Sequence, residues 1–202
     1  MIRALSILVL ALAPGLGLAS RSAAQTQAAT FALDALSFVS FEDSEVYPIP
    51  PGGAILFRFG APNPDGSLPF TIAPADARIP TIPLDGGRTL TYRLTQTTQG
   101  VVARDGEGLK VVFSASIAAD LASPDGKGGT RQYAMQFTTE TATASNLART
   151  KTVAVEGMPL QATAGAMQLV GAATSQEGAY PGPGAAAYTV LSGRFDRLPD
   201  LP

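Results

Sequence analysis

The chain has 202 residues, with 14 Lys and Arg against 16 Asp and Glu, and it contains no cysteine, histidine or tryptophan. Those absences exclude histidine triads, cysteine nucleophiles, disulfides and zinc sites built on His or Cys. The mild charge also excludes the clustered positive field that nucleic acid requires, and a polybasic membrane patch is missing.

Met1–Ala24 reads as a secretory signal. Arg3 supplies the charge, Ala4–Leu18 the apolar segment, and Ser22-Ala23-Ala24 a small-x-small cleavage site. The apolar run is broken by Pro14-Gly15 and falls short of the roughly 20 residues of a spanning helix. Cleavage after Ala24 leaves 202 − 24 = 178 residues (25–202), enough for a single β domain. Arg3 and Arg21 depart with the leader, so 12 basic groups face 16 acidic ones, a net charge of −4. The expectation is an exported protein, periplasmic or extracellular, with no membrane span after cleavage. Arg exceeds Lys, and Ala and Gly abound. That bias fits the genome of a GC-rich bacterium.

Beyond the leader, prolines and glycines punctuate short runs of alternating apolar and polar residues, which favours strands. Phe31–Phe41 is the first strand candidate, although Thr26–Leu36 also suits a helix. Asp43–Gly53 is too proline-rich for a central strand and reads as a surface loop or edge segment. Ala54–Phe59 and Leu68–Ile72 read as strands, the second inside a longer loop, Gly60–Gly87. Arg88–Thr98 places Leu90, Tyr92 and Leu94 on one face. Leu109–Leu121 is the clearest case: Leu109, Val111, Phe113, Ala115, Ile117, Ala119 and Leu121 share a face opposite Lys110, Ser114, Ser116 and Asp120. Arg131–Thr141 repeats that logic with Tyr133, Met135 and Phe137. Thr150–Glu156, Leu160–Ala172 (alanine-rich enough to suit a helix) and Ala186–Leu198 complete the strands, with Ser175–Gly184 a surface loop or edge segment.

Asp-Gly recurs at Asp65-Gly66, Asp85-Gly86, Asp105-Gly106 and Asp125-Gly126, always 20 residues on, with flanks that share little else. Asp tolerates the left-handed region and Gly enters it freely, so the pattern predicts a meander of similar strands joined by tight turns rather than a sequence repeat. The predicted fold is all-β: one antiparallel β-sandwich (jelly-roll or Ig-like) or a β-barrel of about eight to nine strands, preceded by the signal-peptide helix. The strands lack the lipid-facing pattern of an outer-membrane barrel.

The chemistry left open is that of carboxylates and aromatics. Glu42, Asp43 and Glu45 form the densest acidic group, in which two carboxylates flanking a sugar bond would act as acid and base. Asp34, set between Phe31-Ala-Leu and Ala-Leu36, is a candidate for a partnered or functional polar group. Tyr47 and Tyr180 sit in proline-rich loops and are candidate contact rings. Neither an EF-hand loop nor a calcium-binding repeat is present, and no phosphate or dinucleotide fingerprint is found. No cofactor and no catalytic or metal residue is therefore assigned. The expected function is a structural or protein-interaction role, with partners or self-assembly through exposed sheet edges. The alternatives are a small-ligand or glycan module and a carboxylate-dependent hydrolase.

Overall fold

The computed structural model describes residues 27–41, 46–105, 108–141, 167–177, 186–197 and 201. The leader, the Thr150–Glu156 strand candidate and the signal-peptide helix lie outside them. The alternating runs form β1 (Ala28–Leu33), β2 (Phe38–Phe41), β3 (Val46–Pro48), β4 (Ala54–Phe59), β5 (Leu68–Ile72), β6 (Ala77–Arg78), β7 (Ile82–Pro83), β8 (Thr89–Leu94), β9 (Thr98–Asp105), β10 (Gly108–Ala122), β11 (Gly129–Thr141), β12 (Met167–Glu177) and β13 (Ala186–Phe195). Asp65-Gly66, Asp85-Gly86 and Asp125-Gly126 fall in the connections of three antiparallel pairs, β4–β5, β7–β8 and β10–β11, and Gly106 lies outside the described residues. Gly66, Gly86 and Gly126 adopt φ of 81°, 69° and 74°, the left-handed region that disfavours a side chain.

Strands β1, β4, β5, β9, β10, β11, β12 and β13 pair in that order, and β1 pairs back with β13. The ring is a closed antiparallel barrel of eight strands, so of the two predicted architectures the barrel is the one that forms. Its interior is just wide enough for side chains to fill. Across one layer the register runs Phe70, Gly100, Phe113, Phe137, Gly171, Thr189. Large and small residues alternate there, so the rings of Phe113 and Phe137 stack at 4.7 Å between the two glycines. Phe57, fully buried, meets the rings of Phe70 and Phe195 at 4.8 and 5.1 Å. Polar residues of the same strands, including Arg58, Lys110, Ser114 and Gln136, are exposed or half-buried.

Strands β10–β13 are longer than this ring needs, and their far halves carry a second tier. Here β8 and then β7 continue from β10, while β2 and then β3 continue from β13. Two neighbours of the long strands are consequently broken where the tiers meet. Phe31 to Val39 is eight steps along β1–β2, but their partners Phe195 and Thr189 are six apart, an excess of two residues. Leu94 to Gln99 is five steps along β8–β9, while Ile117 and Ser114 are three apart, again an excess of two. The predicted single strand Phe31–Phe41 is thus two strands with a turn at 34–37. The segment Asp43–Gly53, expected as a surface loop or edge segment, carries the edge strand β3, where prolines are tolerated. The predicted strand Arg88–Thr98 ends at Leu94 as β8, and a separate strand, β9, which was not predicted, runs from Thr98 to Asp105. The predicted Ser175–Gly184 loop likewise yields its first residues to β12.

Candidate functional site

The sequence candidates are dispersed by the fold. Glu42, Asp43, Glu45 and Tyr180 lie outside the described residues. Asp34 stands in the turn between β1 and β2, where it accepts hydrogen bonds from the Leu36 amide at 2.9 Å and the Ser192 hydroxyl at 3.1 Å. Ser37 completes this latch: its hydroxyl donates to the Ser192 carbonyl at 3.0 Å and accepts from the Ser192 amide at 3.0 Å. The carboxylate holds a strand break in place. The second break has a looser counterpart, in which the Thr95 amide donates to the Ser116 carbonyl at 2.9 Å and Gln96 reaches the Ser116 hydroxyl at 2.9 Å. Tyr47 is buried, with its hydroxyl donating to Asp85 at 3.4 Å across the gap between β3 and the turn after β7. Its ring is core, so it presents no platform to solvent.

The carboxylates elsewhere serve the surface. Arg58 pairs with Asp76 and Arg93 with Asp120, both at 2.8 Å. Hydrogen bonding from these guanidinium groups holds both carboxyls below their ordinary range, and Thr130 adds to the effect at Asp120. Asp65 and Asp125 are lowered by the hydroxyls of Ser67 and Ser123 and by backbone amides. A general acid needs the opposite shift. No group of three or more Asp or Glu among the described residues is placed to hold a metal ion.

A cavity lies at the level where the tiers meet, lined almost wholly by apolar side chains from β4, β5, β8, β10, β11 and β13. The described strands give it two hydroxyls, Tyr92 on β8 and Thr189 on β13. Tyr92 is 5% exposed and Thr189 2%, and the two hydroxyls lie within hydrogen-bonding range of each other. Burial, with Tyr133 nearby, pushes the Tyr92 phenol well above its ordinary range, so it stays a neutral donor. Sequence reasoning put Tyr92 on an apolar face but had no signal for Thr189, since a strand threonine is ordinary wherever it points. On the outer wall, a shallow groove of about 700 Å³ crosses β4, β5 and β9, with Arg58, Pro69, Thr71, Gln99 and Val101 along it. Val101, 40% exposed, is the large apolar side chain most open to solvent among the described residues.

Comparison with protein-family models, with curated proteins and with solved structures finds no match.

Proposed function

We propose that the chain is an exported, non-enzymatic β-barrel with a structural or protein-interaction role at the cell surface or in the periplasm. One observation supports the reading: the interior is spent on packing, while the carboxylates of Asp76, Asp120 and Asp125 are tied to close neighbours at the surface. Residues 1–24, patterned as a leader, support export. Contact through side chains is better supported than contact through strand edges. The first tier has no edge, because β1 meets β13. At the gap in the second tier, β3 and β7 carry Pro48 and Pro83, which cannot donate to an added strand. The groove on β4, β5 and β9, where Val101 and Pro69 form an apolar centre beside polar Thr71, Gln99 and Arg58, has the layout of a small contact patch.

The test is sedimentation velocity on the full chain expressed with its own leader, over about a hundredfold range of concentration. Self-association that grows with concentration and is abolished by Val101→Arg is expected, together with a mature N-terminus at Gln25 by mass spectrometry. A protein that keeps its leader and sediments as the same monomer throughout overturns the reading.

A further inference from the structure

Three Asp-Gly turns lie wholly within the described residues, and they hold the same pair of reactive groups differently. In each, the aspartate carboxyl stands near the next backbone nitrogen, and glycine offers no side chain to hinder a ring closing between them. The Asp65 carboxylate accepts from the Ser67 hydroxyl at 2.7 Å and the Ser67 amide at 2.9 Å, while the Gly66 amide donates to the Asn63 carbonyl at 3.0 Å. The Asp125 carboxylate accepts from the Ser123 hydroxyl at 2.6 Å and the Lys127 amide at 3.1 Å, while the Gly126 amide donates to the Ser123 carbonyl at 3.0 Å. The bonds to these two carboxyls also hold them below their ordinary range, so less of each stands in the acid form that can lose water.

Asp85 is held less. Among the described residues its carboxylate accepts one hydrogen bond, from the Tyr47 hydroxyl at 3.4 Å, longer than the usual O–H···O range of about 2.5–3.0 Å. Arg88 donates to the Asp85 main-chain carbonyl, at 2.9 Å, rather than to the carboxylate. Asp85, Gly86 and Gly87 are all exposed, and the two glycines take left-handed φ of 69° and 72° in succession, where each of the other two turns has one such glycine. A Cβ built on Gly86 would meet nothing within 4 Å, so the space beside its nitrogen is open. The place of this turn gives it a consequence. Strands β7, β8, β10, β11, β12, β13, β2 and β3 pair in that order around the second tier. The contact between Tyr47 on β3 and Asp85 after β7 bridges the gap that remains.

We propose that Asp85 is a site of spontaneous modification, where the folded chain converts Asp85-Gly86 to an isoaspartyl linkage and so loosens the clasp between β3 and β7. The Gly86 nitrogen attacks the Asp85 side-chain carboxyl carbon. A C–N bond forms, the amide proton leaves with the carboxyl hydroxyl as water, and a five-membered imide closes. Water then adds to one of the two imide carbonyls and breaks its bond to nitrogen. Opening at the side-chain carbonyl restores aspartate. Opening at the main-chain carbonyl leaves the backbone running through the side-chain carbon, one methylene longer, with the former main-chain carbon as the new carboxylate. Tyr47 then loses the acceptor it reaches. The steps consume and return one water, which the solvent around this exposed turn supplies. This goes beyond the interaction role, which uses the outer wall of the first tier.

The test is peptide mapping of the full chain aged for weeks at physiological temperature and neutral pH, folded in one sample and unfolded in concentrated urea in another. Electron-transfer fragmentation tells isoaspartate from aspartate of the same mass. In the folded chain Asp85 is expected to isomerise about tenfold faster than Asp65 or Asp125, the effect of one further net hydrogen bond at each of those carboxylates. In urea, where those bonds are gone, the three rates converge. Ser67→Ala raises the folded-state rate at Asp65, and Ser123→Ala does the same at Asp125 should the first variant fold poorly. The aged protein melts below the fresh one, whereas Asp85→Glu, which would have to close a larger ring, melts alike before and after ageing. Equal rates at the three turns of the folded chain, isoaspartate at position 85 in urea alone, or rates at Asp65 and Asp125 that neither serine variant raises each overturns the proposal. An aged protein rich in isoaspartate at position 85 that melts with the fresh one overturns the clasp.

Discussion

Replacing Ser37 by alanine isolates the latch that joins the two tiers. The Ser37 hydroxyl both donates to the Ser192 carbonyl and accepts from the Ser192 amide, each at 3.0 Å, and both residues are buried, Ser37 at 1% exposure and Ser192 at 0%. In Ser37→Ala the Ser192 carbonyl still receives the Asp34 amide at 2.9 Å, so the acceptor side is covered. The Ser192 amide loses its partner in a place water does not reach. A buried donor left unpaired costs about 1–3 kcal/mol, and a value near 2 kcal/mol is expected here. For a domain of this size, about 2 kcal/mol lowers Tm by roughly 4–8 °C. Thr95→Val is the internal control. It removes a hydroxyl that donates to the Ser116 carbonyl at 3.2 Å from an exposed position, where water substitutes, so its cost stays within about 0.5 kcal/mol. Urea unfolding followed by tyrosine fluorescence, with thermal melts alongside, reads both variants. A Ser37→Ala protein within about 0.5 kcal/mol of the parent, or a Thr95→Val protein that loses as much, refutes the claim that burial distinguishes the two breaks.

Phe57→Ala removes a fully buried ring that meets five other phenylalanines and should cost about 3–5 kcal/mol in the same urea assay, whereas an exchange within the error of the parent would show a loosely filled core. Gly193→Ala would drive a methyl into the Ala32 carbonyl at the β1–β13 closure, while at Gly108 the nearest atom is 3.5 Å away. The first variant should therefore unfold far earlier than the parent on heating, and the second should melt close to it. Asp76 and Asp120 have folded-state pKa values below their unfolded ones, so their contribution is present above the ordinary carboxylate range and disappears as pH falls through and below about 4. With no histidine in the chain, the urea midpoint should stay nearly level from about pH 8 to 5 and then drop, and a step near pH 6.5 would contradict this.

The sequence made some of this legible because some of the information is local. Ala54–Phe59 and Leu68–Ile72 begin and end as strands where the apolar alternation does, and the Asp-Gly turns sit where hairpins need them. Strand β9 was hidden because Gly100 breaks its alternation. That glycine is required by its neighbours, since any side chain there would run into the ring of Phe70 and the Cβ of Phe113. Such large-to-small matching across strands is invisible in one strand alone. The break at 34–37 was hidden for a related reason. Asp34 looked like a polar residue in an apolar strand, and the partner that explains it, Ser192, stands near the other end of the chain. Closure into a barrel rather than a sandwich rests on the same kind of distant pairing, Phe31 with Phe195. The candidate cavity was least legible, since Tyr92 and Thr189 meet only after both tiers have formed.

The cavity and the strand breaks have one physical origin. In a single eight-strand ring, alternating large and small side chains fill the space, as the layer from Phe70 to Gly171 does. A second tier built on the same long strands has to recruit new neighbours, and its chain must step outward by two residues on each flank. Between those steps the walls diverge, and side chains that pack well in either tier do not meet across the gap. Thr189 belongs to the first tier's layer by register and pairs with Val39 of the second. Tyr92 reaches in from β8, opposite fully buried Ala119, whose small side chain leaves room for the ring. Tyr92→Phe should then leave the barrel intact at a cost of no more than about 1.5 kcal/mol in urea, the worth of the single hydrogen bond its hydroxyl makes with Thr189. A loss of about 3 kcal/mol or more would refute this, because one buried neutral pair cannot account for it.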